Sequence, residues 1–102
     1  MNKADISELF EMALKQKCNL HIVMGGHDYT VTHIQAVHAP AHHNEQKDHD
    51  PIYDKYFALA KAAPRGAVVL VGCVDPGEPG EKKDLIGTLV IDPDAVQAIF
   101  LS

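Results

Sequence analysis

Two short apolar runs, Leu85-Ile86-Gly87-Thr88-Leu89-Val90-Ile91 and Ala95-Val96-Gln97-Ala98-Ile99-Phe100-Leu101, flank a single tight Asp92-Pro93-Asp94 turn. Both are rich in β-branched residues, which suit strands, and the break between them carries turn chemistry. A chain ending in this way closes on a strand–turn–strand unit. A run as apolar as residues 95–101 is an aggregation hazard if it is left as a free sheet edge.

The chain starts differently. Ile6, Leu9, Phe10, Ala13 and Leu14 recur at helical spacing and make one apolar stripe. Asp5 and Glu8 have the spacing of a capping box, and Lys15 and Lys17 place positive charge near the far end, where it suits the helix dipole. A helix ending near Lys17 is expected. Leu20, Ile22 and Met24 then alternate over a strand at 19–24, and Gly25-Gly26 supplies a hairpin turn. The next strand, 28–38, changes parity between Val31 and Ile34, which places a bulge or bend at Thr32 and His33. Residues 39–50 are polar and read as a loop. Asp50-Pro51 opens a second helix, with Ile52, Tyr53, Tyr56, Phe57, Leu59 and Ala60 on its apolar side and Pro64 and Gly66 ending it. A third strand at 67–74 is continuously apolar, and residues 75–81 form a Pro-Gly-rich loop.

The expected fold is mainly β with α. An N-terminal helix is followed by a strongly bent, five-stranded antiparallel barrel or sheet, with a helical insertion at 39–64 between its second and third strands. At 102 residues the chain is one domain, 1–102. No apolar run approaches the roughly 20 residues that cross a bilayer, and the first residues carry no apolar signal core. A cytoplasmic protein without a membrane partner is expected. Cys18 and Cys73 read as two reduced, partly buried thiols.

The net charge is −5 with histidines neutral, which disfavours broad capture of a nucleic-acid backbone. Lysines cluster only at Lys15/Lys17 and Lys82/Lys83, and Arg65 stands alone. The seven histidines could reverse the sign of the charge under mild acid.

Several groups of side chains have the chemistry of a site. His38, His42, His43 and His49, with Asp48 and Asp50, are the densest set of metal-capable side chains, though without the cysteines and fixed spacings of structural zinc sites. A solvated polar loop is the plain alternative. His38 or His42 could instead stack on an RNA base. His21, His27 and His33 read as strand-surface histidines. No Gly-rich phosphate loop and no Ser/His/Asp elbow is present, so neither an enzyme nor a cofactor is expected.

The pattern resembles the Sm-like (Sm/LSm) superfamily. Gly26-His27-Asp28-Tyr29 followed by Val31-Thr32-His33-Ile34 is similar to that family's Gly-Arg-Glu-Tyr hairpin and next strand, with Val31 where a glycine is usual. Val37-His38 stands where the strand closes on an apolar residue and Asp. The second motif matches in its apolar skeleton, Ile91, Val96 and Ile99, but Asp92-Pro93 replaces Arg-Gly. The resemblance implies a homo-oligomeric ring closed by strand pairing, with Leu85, Leu89, Ile91, Val96, Ile99 and Phe100 at the subunit interface. By position it also implies an RNA site at His38, His42, Asn44, Asp92 and Pro93. Asp92 would repel a phosphate where the family's Arg holds one. The expected function is therefore an RNA-associated ring with a non-standard site. A structural ring that binds a protein partner is the alternative, and a metal- or pH-responsive histidine loop is a third reading.

Overall fold

The computed structural model describes residues 3–39, 42–75 and 85–102. Helix α1 (Lys3–Gln16) leads into β1 (Leu20–Met24) and β2 (His27–Ala39). A short strand, β3 (His42–Glu45), follows, then a 3-10 turn (Pro51–Tyr53) that runs into α2 (Asp54–Lys61). The chain continues as β4 (Val68–Asp75) and β5 (Leu85–Ile91), a 3-10 turn (Pro93–Ala95) and β6 (Val96–Leu101). All six strands form one antiparallel sheet, ordered β5-β4-β2-β1-β6, with β3 added to β2.

Local chemistry explains each junction. The end of α1 is a left-handed cap: Lys17 has φ 56°, and the Cys18 N–H donates to the Ala13 carbonyl at 3.0 Å. Asp5 lies inside the first turn of this helix instead of capping it, because α1 already includes Lys3 and Ala4. Gly25 and Gly26, at φ 60° and 80°, make the two-residue hairpin between β1 and β2, pairing Met24 with His27. The expected bend is at His33, where φ is 49° and the pairing of β2 with β4 shifts register between Thr32 and Ala36.

The strand count differs from the expected five. The sixth strand, β3, lies in the segment read as a polar loop. Four residues without an apolar alternation give no strand signal, yet the second half of β2 has an edge free beyond β1. Residues 42–45 pair with that edge, from Ala39↔His42 to Ala36↔Glu45. The Pro-Gly-rich loop after Asp75 and the Lys82/Lys83 cluster lie outside the described residues.

The bent sheet separates two cores. On its inner face, Ile6, Phe10, Ala13 and Leu14 of α1 pack against Leu20, Ile22, Val31, Val37, Leu70 and Ile91. On its outer face, Tyr53, Phe57 and Ala60 of the insertion pack against Ala36, Val69 and Val71. Strand β4 is buried on both faces, which explains its continuous apolar sequence. The α2 stripe is narrower than expected. Ile52 and Leu59 face outward and are 54% and 58% exposed. Among the described residues, no helix is long and apolar enough to cross a membrane.

Candidate functional site

The histidines of the insertion separate into two arrangements. In the β2–β3 pair, His38 stands opposite His43, and their Nδ1 atoms are 2.9 Å apart. His43 Nε2 lies 3.1 Å from Glu45 Oε2. A neutral chain satisfies both contacts: His38 Nδ1–H donates to His43 Nδ1, and His43 Nε2–H donates to Glu45. Asn44, on the other parity, donates from Nδ2 to Glu11 Oε1 at 2.8 Å and so ties β3 to α1. His42 begins β3, with its backbone opposite Ala39.

His49 sits apart from this chain. Its Nε2 is 2.7 Å from Asp54 Oδ1, and its ring lies against Phe57 with centroids 4.4 Å apart. The hydrogen bond to Asp54, with that carboxylate's charge, raises the His49 pKa above the usual imidazole value, against a smaller lowering by desolvation. His38, His43 and His49 thus serve two local networks. Among the described residues, no group of three or more His, Cys, Asp or Glu side chains converges to hold a metal ion. Nearby, the Tyr53 hydroxyl meets Cys73 Sγ at 3.2 Å, and burial together with this contact pushes the tyrosine pKa up.

The Asp92-Pro93 turn forms a second region. Asp92 caps its 3-10 turn, accepting from the Asp94 N–H at 3.0 Å, and Pro93 is buried. The pairing Val68↔Ile91 brings the segment before β4 beside this turn. Together Pro64, Arg65, Gly66, Ala67 and residues 90–94 line a groove of about 470 Å³. Arg65 therefore shares a wall with Asp92 and Asp94. His38 pairs with Val69, which pairs with Val90, so His38 and this groove lie toward one end of the sheet. In the sequence Arg65 stands alone, without a neighbouring cation. Its signal was the Arg-Gly dipeptide itself, placed before the third expected strand instead of after the fourth.

The third region is the pair of sheet edges. Among the described residues, β5 pairs only with β4, and β6 only with β1. Leu85, Val90 and Phe100 on these edges are 43%, 47% and 56% exposed. Leu89 and Ile99 are half-buried against the inner core, whereas Ile91 and Val96 belong to that core. Phe100 stacks on His21 with centroids 4.4 Å apart and planes within 9°. Beside this stack is a hollow of about 250 Å³, lined by His21, Val23, Asp28, Thr30 and Phe100 among others. Another hollow, of about 280 Å³, lies at the end of α1 between Lys17, Cys18, His33 and Gln35.

No protein-family model matches the chain, and no curated protein or solved structure matches it.

Proposed function

We propose that this protein forms an Sm-like homo-oligomeric ring that associates with single-stranded RNA through a non-standard site. One observation carries the ring: the sheet order β5-β4-β2-β1-β6 puts the last two long strands at opposite edges, and both edges display large apolar side chains. Unpaired backbone on an apolar strand favours strand addition. A β5 edge meeting the β6 edge of an identical neighbour satisfies both, and repetition of that heterologous contact closes a ring. The helix-first order, the bend in β2 and the short turn between β5 and β6 are in keeping with an Sm-like barrel.

Arg65 supports the RNA reading. The Asp92-Pro93 turn lacks a cation of its own, and Arg65-Gly66 supplies one in the same groove. A guanidinium holds a phosphate through charge-assisted hydrogen bonds, and the imidazole rings of His38 and His43, joined to each other and to Glu45, lie toward the same end of the sheet, where a base could stack. The net charge of −5 favours the competing reading, a ring whose partner is a protein.

Anisotropy titration with a labelled oligo-uridine at low salt tests the choice. Weak, salt-sensitive binding that Arg65→Ala weakens further is expected. No binding by the intact wild-type oligomer would overturn the RNA reading and leave the protein-partner ring.

A further inference from the structure

We propose that α2 of one subunit docks on the outer face of its neighbour's β1–β6 pair, with Leu59 seated in the hollow beside Phe100. This rests on the ring reading and assigns the insertion a role in it. The insertion's apolar surface is divided. Tyr53, Phe57 and Ala60 cover the protomer's own sheet, while Ile52 and Leu59 point away and stay exposed. They share a helical stripe with Tyr56, whose carbonyl accepts from Thr88 Oγ1 of β5 at 3.1 Å. That stripe therefore flanks the β5 edge of the sheet.

The β6 edge presents the counterpart. His21 pairs with Phe100 on one side and Thr30 on the other, so all three project from the same face of the sheet. This is the outer face, because the alternate residues Leu20 and Ile22 fill the inner core. α2 covers the outer face at β4 and β5, and among the described residues no helix packs extensively on it at β1 and β6. Phe100 stands there over half exposed, beside a hollow with room for one aliphatic side chain.

A neighbour whose β5 edge meets β6 carries its α2 on that same outer side. Its Ile52–Leu59 stripe then lies next to Phe100. Charge agrees with shape: Lys55, whose Nζ is 4.9 Å from the Tyr56 ring centre, flanks the stripe, and exposed Asp28 lines the hollow. A second copy of the chain therefore supplies both the apolar knob and the matching cation.

The test is light scattering on the full chain across a dilution series, comparing wild type with Leu59→Glu, Phe100→Lys and the double variant. Both positions are exposed in the protomer, so far-UV circular dichroism should be unchanged. Leu59→Ser and Phe100→Ser serve as milder replacements if either charged variant misfolds. Each single variant should raise the dissociation midpoint by about tenfold or more, the scale of losing an interface anchor. The double variant should recover part of this through the new ion pair. Wild-type oligomers with unchanged single-variant midpoints would overturn the docking and leave the ring intact. A wild type that is monomeric throughout would overturn both. If Phe100→Lys alters oligonucleotide binding at unchanged mass, Phe100 is a stacking surface for bases and the docking is wrong.

Discussion

Gly72 of β4 lies so close to Thr32 of β2 that a Cβ at position 72 would stand 2.9 Å from the Thr32 carbonyl oxygen. The same carbon would meet the His33 carbonyl at 3.3 Å, and neither backbone oxygen can move without shifting the bend in β2. The sharp turn of the sheet at His33 thus depends on an absent side chain two strands later in sequence. Gly72→Ala should lower stability by about 1–3 kcal/mol, as overpacking does in a dense core. Thermal unfolding checks this, and an unchanged melting temperature would contradict the close approach.

The insertion's two stripes should differ in their sensitivity to truncation. Phe57→Ala removes a buried ring and should cost about 3–5 kcal/mol. Leu59→Ala removes an exposed side chain and should change protomer stability by no more than about 0.5 kcal/mol. Denaturant titration of both, under conditions where the chain is monomeric, separates the buried stripe from the outward one.

The His49–Asp54 bond has a defined pH signature. The folded-state pKa of His49 is raised, so folding favours the protonated ring. Its stabilisation is complete below the ordinary imidazole pKa of about 6.5 and is lost as pH rises through the higher folded value. The melting temperature of wild type minus that of His49→Gln should therefore be larger near pH ~5.5 than near pH ~8. A difference that is flat, or larger at the alkaline end, would contradict this.

The groove at Asp92 makes a charge prediction. Asp92→Arg should strengthen oligo-uridine binding, by about 1.5–3 kcal/mol if the new guanidinium reaches a phosphate. Arg65→Ala should weaken it evenly across sequences and reduce the salt slope by about 1. Tight wild-type binding that neither change affects would place the RNA elsewhere on the molecule.

Much of the fold was legible because its signals were local. The α1 stripe, the Gly25-Gly26 turn, the parity change at His33 and the Asp50-Pro51 start all depend on neighbouring residues. β3 was not legible, because His42 to Glu45 become a strand only through an edge that β2 leaves open. Two of the six residues of the α2 stripe face outward, which was not legible for a similar reason: composition marks Ile52 and Leu59 as apolar but does not say which surface covers them. In the candidate site, the histidine segment was visible as a cluster, but its division between a His38–His43–Glu45 chain and a His49–Asp54 pair depends on β3. Arg65 was invisible as a neighbour of Asp92, because the pairing Val68↔Ile91 joins positions far apart in sequence.

Assembly is the claim on which the RNA site and the docking of α2 both depend. Size-exclusion chromatography with light scattering, at tens of micromolar (on the order of ordinary assay concentrations), measures it directly. The proposed ring predicts a single discrete mass, a whole-number multiple of the 11.1 kDa protomer, because heterologous edge pairing that closes makes one ring size. A monomer at that concentration would contradict the account.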